Sequence, residues 1–115
     1  MPITIYHNPR CSKSRQTLQL LRDNDIEPEV IDYLQHPPTE TVLDGILKRL
    51  NMEPRELMRK KEPPYKENEL DNPELSRDAL ISAMVNNPVL IERPIVVNGD
   101  RAAVGRPPEN VLEII

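Results

Sequence analysis

Phenylalanine and tryptophan are absent, and three tyrosines are the only aromatic residues in a chain of 115. The core must therefore be aliphatic, and no aromatic platform exists on which single-stranded bases could stack. The net charge is −4, with 19 acidic residues against 15 basic ones, which argues against broad binding to nucleic acid. No stretch approaches the ~18 apolar residues of a membrane span. The start, Met1-Pro2-Ile3-Thr4-Ile5-Tyr6, has neither the basic opening nor the apolar run of a secretory signal. Glycine occurs three times, at 45, 99 and 105, so no Walker phosphate loop is possible. Cysteine occurs once, as Cys11, and the two histidines, His7 and His36, lie too far apart to make a zinc site with it. A single free thiol without a targeting segment points to a reducing compartment, the cytoplasm.

What is present reads as one domain, residues 1–115, with 37% apolar and 30% charged residues, ordinary for a globular protein. Thirteen prolines cut it into short elements. Ile3-Thr4-Ile5-Tyr6 alternates with period two, as a strand does. A helix is expected from about Ser12, carrying Leu18 and Leu21, followed by a second strand at Glu29-Val30-Ile31-Asp32-Tyr33. Strand–helix–strand over this length describes a crossover with parallel strands. Thr39 is placed to cap a helix bearing Val42, Leu43, Ile46, Leu47 and Leu50, and a short helix is expected from Pro54. The polar stretch from Glu62 to Pro73 reads as a surface loop. Ser76 then caps a helix closed by Asn86-Asn87-Pro88. Ile95-Val96-Val97 and Arg101-Ala102-Ala103-Val104, joined through Asn98-Gly99-Asp100, read as a hairpin with an Asn-Gly turn. A last short helix follows Pro107-Pro108. The order matches an α/β fold with a thioredoxin-like mixed sheet: a parallel βαβ unit, then an antiparallel hairpin and helix, with a helical insert at about 39–87.

Cys11 lies in the most cation-rich, acid-free part of the sequence. Residues 1–22 hold Arg10, Lys13, Arg15 and Arg22 and no Asp or Glu, and fixed cations favour a thiolate over a thiol. The junction between first strand and first helix adds unpaired backbone N–H groups and the positive end of the helix dipole. A lone cysteine is also commonly a small buried hydrophobe, but the polar flanks His7-Asn8-Pro9-Arg10 and Ser12-Lys13-Ser14 favour the reactive reading. The same loop is suited to an oxyanion, through its amides and the hydroxyls of Ser12, Ser14 and Thr17; Ser12 can equally serve as a plain helix cap. His7 is able to lower the thiol pKa or shuttle a proton if it comes within reach, or it is simply packed. Position 17 is Thr, which excludes a Cys-x5-Arg phosphatase loop. Position 14 is Ser, which excludes a Cys-x-x-Cys dithiol cycle. Any sulfur adduct at Cys11 must be resolved from outside.

Three more arginines stand out: Arg59, Arg93 before Pro94, and Arg106 before Pro107. Arg93 and Arg106 flank the expected hairpin at entrance and exit, which an antiparallel pair brings to the same end of a sheet. Two guanidinium groups so placed can clamp a tetrahedral oxyanion, although any one of them alone reads as a solvated surface arginine.

His7-Asn8-Pro9-x-Cys11-x-x-Ser14-Arg15-x-Thr17, Leu34-x-x-Pro37-Pro38, Arg59-Lys60, Pro88-x-Leu90-Ile91-x-Arg93-Pro94-Ile95-Val96-Val97 and Arg106-Pro107, in this order over nearly the full length, resemble the glutaredoxin-coupled arsenate reductases, in particular their shorter members. The resemblance implies a thioredoxin-like fold with a helical insert. It makes Cys11 the nucleophile and Arg59, Arg93 and Arg106 the oxyanion-binding residues. It has His7 support the low thiol pKa, Ser14 hydrogen-bond near the sulfur, and the Arg93–Pro94 bond adopt the cis form. It further implies arsenate as substrate, glutathione as co-substrate with no tightly bound cofactor, and glutaredoxin as partner. The sequence departs from well-studied members at Ser12-Lys13, where they carry Gly-Thr, and in ending at Ile115 without their C-terminal tail. Another oxyanion is therefore an alternative substrate. A second class shares the fold, the Spx-type regulators that bind RNA polymerase; many of those carry Cys-x-x-Cys, and retention of three arginines favours the enzyme.

Overall fold

A four-stranded sheet in the order β2-β1-β3-β4 organises the computed structural model, which describes residues 2–115. β1 (Ile3–His7) leads through the helix α1 (Ser12–Asp23) to β2 (Glu29–Asp32), and β1 and β2 are parallel with Ile5 opposite Val30. β3 (Ile95–Asn98) returns antiparallel to β1, Ile5 facing Val96. β4 (Arg101–Val104) closes the hairpin with Val96 opposite Ala103. This is the thioredoxin-like mixed sheet expected.

The chain separates into two compact units, one running from the N-terminus to His36 together with Arg93–Ile115, the other Pro37–Glu92. In the first, Ile5 and Val96 from neighbouring strands meet Leu21 of α1 and Val111 and Ile114 near the C-terminus in a buried aliphatic cluster. α1 stops because Asp25 turns left-handed, at φ 62°, and the Ile26 N–H reaches back to the Leu21 carbonyl at 3.0 Å. That back-bonded ending carries Ile26 onto the same cluster, the hydrophobic contact that accompanies such a cap.

The second unit is helical. α2 (Glu40–Leu50) starts on Thr39, whose hydroxyl accepts the Val42 N–H at 3.2 Å. It ends on left-handed Asn51, one of the few side chains that tolerate this conformation. A 3-10 turn (Pro54–Leu57) and the short helix α3 (Pro63–Glu67) precede α4 (Arg77–Asn86), which Ser76 caps through the Ala79 N–H. Leu43, Ile46 and Leu47 of α2 and Leu80, Ile81 and Met84 of α4 are buried, and the two helices pack together. The expected insert at 39–87 falls inside this unit.

Several local expectations change. The stretch 62–73 is no plain loop: Pro63 and Pro64 open α3, since proline at a helix's first turn lacks only an N–H the helix would not use. The hairpin turn is Gly99-Asp100 rather than Asn-Gly, because Asn98 pairs with Arg101 inside the ladder. Of these turn residues Gly99 alone has positive φ, 62°, as a two-residue turn with glycine in first place requires. The second strand ends at Asp32, leaving Tyr33 buried just beyond it. The C-terminal helix is a 3-10 segment, Pro108–Glu113. Two peptide bonds are cis, Arg93–Pro94 as expected and also Arg106–Pro107. Among the described residues no helix is long and apolar enough to cross a membrane, and no group of three His, Cys, Asp or Glu could hold a metal.

Candidate active site

The loop from His7 to Cys11 is held by one asparagine. Asn8 Oδ1 accepts the Arg10 N–H at 3.0 Å, and its carbonyl accepts the Cys11 N–H, also at 3.0 Å. This is the side-chain mimicry of a turn at which Asn excels. It delivers Cys11 to the position just before α1, so Cys11 and not Ser12 is the N-cap residue. Ser12 is exposed as the first residue of the helix.

Cys11 is 8% exposed. Its side chain makes no regular capping hydrogen bond, yet its sulfur faces the first turn of the helix. Burial pushes the thiol up. The backbone N–H of Ser14, the Arg93 guanidinium and the backbone N–H of Lys13 push the other way and prevail, so the thiol lies below its ordinary range. Arg106 Nη2 donates to Sγ at 3.4 Å, and its Nε donates to the Arg93 carbonyl at 2.8 Å. The hairpin thus brings its two flanking arginines to one thiol.

Behind the cysteine lies a buried polar group. Ser14 is fully buried and His7 is 7% exposed. His7 Nδ1 and Ser14 Oγ lie 2.6 Å apart, and Ser14 Oγ also accepts the Asn8 N–H at 3.0 Å. Two assignments satisfy these contacts: the hydroxyl donates to Nδ1, or a protonated Nδ1 donates to the hydroxyl oxygen, whose two lone pairs serve both N–H groups. Burial depresses the His7 pKa; Asp32 pulls it up, Arg22 and Arg15 pull it down, and the outcome is a lowered value. His7 therefore connects to the cysteine through Ser14. Ser14 itself meets the sulfur through its backbone, its hydroxyl being engaged by His7 and Asn8.

This arrangement sets two expectations. Ser14→Ala strands a buried imidazole nitrogen and a buried N–H at once, a loss of about 1–3 kcal/mol, which thermal unfolding should register as a drop of roughly 4–8 °C per kcal/mol. The lowered His7 pKa makes stability pH-dependent. The unfolded chain takes up a proton that the folded chain resists, so stability is fullest above the ordinary imidazole pKa and is lost as pH falls through and below it. A series of melting curves from about pH 7 to about pH 5 should slope downward, and less so in His7→Gln.

Thr17 plays a different part from the one the sequence suggested. It is fully buried, donating to the Lys13 carbonyl at 2.8 Å within its own helix, and so is turned away from an anion. Arg59 belongs to the other unit, where its Nη1 donates to Glu92 at 3.0 Å and its Nε pairs with Glu62 at 3.5 Å. Asn8 stands in the sequence only as part of the polar flank of Cys11 and of the family motif; Asn before Pro is the signal that points to its turn-forming role. What the geometry offers is a thiolate at a helix start with two guanidinium groups beside it, suited to attack on an anionic tetrahedral centre.

Comparison with known proteins agrees with this geometry. A family model described as the ArsC family matches residues 6–114. The uncharacterized protein YfgD of Escherichia coli K12 is 58% identical over 114 residues, which cover 98% of this chain and 96% of that one. An arsenate reductase of Haemophilus influenzae is 49% identical over the whole of both chains. The solved structure of an arsenate reductase from Vibrio cholerae superposes with a TM-score of 0.97 at 52% identity, covering 100% of this chain and 98% of that one. With a match over nearly its entire length and a shared arrangement of strands and helices, this chain belongs to the ArsC family.

Proposed function

We propose that this protein is an oxidoreductase that reduces arsenate to arsenite. The observation that carries the reading is the Arg106 guanidinium 3.4 Å from Cys11 Sγ, with Arg93 at the same thiol: a nucleophile and the charges that hold its anionic target share one place. Relatives named arsenate reductase, at 49% identity over the full length, supply the substrate.

In this reading arsenate docks against Arg93, Arg106 and the amides at the start of α1, and their positive charge offsets its own. Arg59 joins the oxyanion-binding set on its match to the family pattern. The Cys11 thiolate attacks arsenic, forming an S–As bond while a hydroxide departs and takes up a proton to leave as water. Glutathione thiolate then attacks the Cys11 sulfur. The S–As bond breaks with its electron pair going to arsenic, which falls from As(V) to As(III) and leaves as arsenite. The Cys11–glutathione disulfide remains, and a glutaredoxin thiolate attacks its glutathione sulfur, returning Cys11 as thiolate. The single cysteine supports an external relay of this kind. No tightly bound cofactor enters the cycle, which suits the reducing cytoplasm where glutathione is abundant.

The test is arsenate-dependent NADPH oxidation with glutathione, glutathione reductase and glutaredoxin supplied. A rate requiring every component is expected. A rate that persists without glutaredoxin would remove that partner. No rate in the complete mixture, from protein whose Cys11 still titrates low, would remove arsenate and direct the search to another oxyanion.

A further inference from the structure

The two arginine-bearing turns are joined to each other by a contact that neither arginine makes. Gly105 precedes Arg106, and Pro94 follows Arg93. The Gly105 N–H donates to the Pro94 carbonyl at 2.9 Å, tying the turns together. Gly105 is buried, and so are Pro94 and Thr17. A Cβ built on Gly105 would lie 2.5 Å from Thr17 Oγ1, 2.9 Å from Pro94 Cγ and 3.0 Å from Thr17 Cγ2. These separations are shorter than van der Waals contact allows, so the backbone at 105 is seated where only a residue without a side chain fits. Thr17 forms the wall of that seat from α1, the helix whose first turn faces the Cys11 sulfur.

The wall is itself immobilised. The Thr17 hydroxyl has one proton, and it goes to the Lys13 carbonyl at 2.8 Å. The Gly105 carbonyl, 3.5 Å from the same oxygen, is a packing neighbour more than a hydrogen-bond partner. Threonine's branched carbon then leaves its methyl fixed against Gly105. One residue further along the chain, Arg106 Nη2 stands 3.4 Å from Sγ and its Nε holds the Arg93 carbonyl.

We propose that Thr17 and Gly105 form a positioning pair: the close seat of the glycine backbone against the threonine sets how near Arg106 comes to the Cys11 sulfur. The side chain that donates to the sulfur is that of Arg106. Thr17 and Gly105 act through the arginine, because the coulombic favour a guanidinium gives a thiolate falls with distance and with the water a looser turn admits. The proposal rests on the reading of Cys11 as the nucleophile, and its test uses no arsenate, so the substrate assignment can fail without touching it.

The experiment is a pH titration of the thiolate absorbance of the full chain, which reports one group because cysteine occurs once. Gly105→Ala should move the midpoint upward, equivalent to about a threefold or greater fall in the acid dissociation constant. Thr17→Ala removes the nearest atom, Oγ1, and the third, Cγ2, leaving only the Pro94 ring carbon at 2.9 Å, which a change of ring pucker can draw back, so the pair Thr17→Ala with Gly105→Ala should return most of the way to the wild-type midpoint. In an Arg106→Gln background Gly105→Ala should change nothing further, a result that general loosening of the fold would not give. An unmoved midpoint in folded Gly105→Ala, an additive pair, or an undiminished effect without Arg106 would each overturn the proposal. Should Gly105→Ala fail to fold alone, the pair must fold and titrate close to wild type. A pair that does not fold, or that folds with a raised midpoint, overturns it as well.

Discussion

Replacing Cys11 by serine is expected to reduce arsenate-dependent turnover to background, a loss on the order of a thousandfold or more. The substitution is nearly isosteric, and the Cys11 backbone keeps its N–H bond to Asn8 and its place before α1. What disappears is the ability to ionise. Two backbone amides and the Arg93 guanidinium suffice to bring the thiol below its ordinary range, with Arg106 standing 3.4 Å from the sulfur beside them, but a serine hydroxyl starts several powers of ten less acidic and stays protonated in the same field. The mutant should therefore still bind arsenate, because its arginines remain, and isothermal titration should find affinity within about threefold of wild type. That separation is informative. Loss of turnover with binding retained identifies Cys11 as the nucleophile. Substantial turnover in the serine variant would mean that arsenic is reduced without an S–As bond to this residue, and the cycle above would be wrong at its first step.

Much of the scaffold for this chemistry was legible in the chain. Period-two alternation located β1, the turn signal after Ile95-Val96-Val97 located β3, and Thr39 and Ser76 marked the starts of α2 and α4 through the hydroxyls that the structure finds accepting Val42 and Ala79. The flanking positions of Arg93 and Arg106 were enough to place them together, because an antiparallel hairpin has no other way to arrange its ends. The failures share a physical cause. Pro63-Pro64 reads as a breaker when its neighbours are polar, yet the same pair suits a first helical turn. Asn98-Gly99 carries a strong turn signal, and only the register of β3 on β4 reveals that Asn98 belongs to the ladder.

Within the site, the three hydroxyls in the first two turns of α1 could not be told apart by sequence. Ser12 is exposed, while Ser14 and Thr17 are buried, Ser14 against His7 and Thr17 bonded to the Lys13 carbonyl of its own helix. Which of three hydroxyls faces an anion depends on the rotation of α1 about its axis. That rotation is set by Leu21 in the aliphatic cluster, several residues downstream. The seat at Gly105 was invisible for a related reason, because it joins positions 88 residues apart. No local pattern announces a contact across that span.

The second large effect concerns the arginines as a unit. Arg93→Ala and Arg106→Ala should each weaken arsenate binding by about ten- to a hundredfold, the scale of one lost charge-assisted hydrogen bond at 1.5–3 kcal/mol, and each should raise the Cys11 titration. The double variant should fall short of the product of the two, with a coupling energy of about 0.5–3 kcal/mol. A single anion held by both groups loses its docked geometry when either is removed, so the second removal has less left to destroy. The direct link between them complicates the cycle, since Arg106 Nε donates to the Arg93 carbonyl, and losing that bond alone would create coupling. Arg106→Lys separates the two sources: it retains a charge for the anion while giving up the guanidinium Nε. If the coupling arises at the shared anion, a cycle built on Arg93→Ala and Arg106→Lys, measured without arsenate through the thiolate titration, should be close to additive. The same cycle measured through arsenate affinity should not be. Strong coupling in both would place its origin in the Arg93 carbonyl contact, and additive losses in the alanine cycle would mean that the two arginines serve the substrate separately.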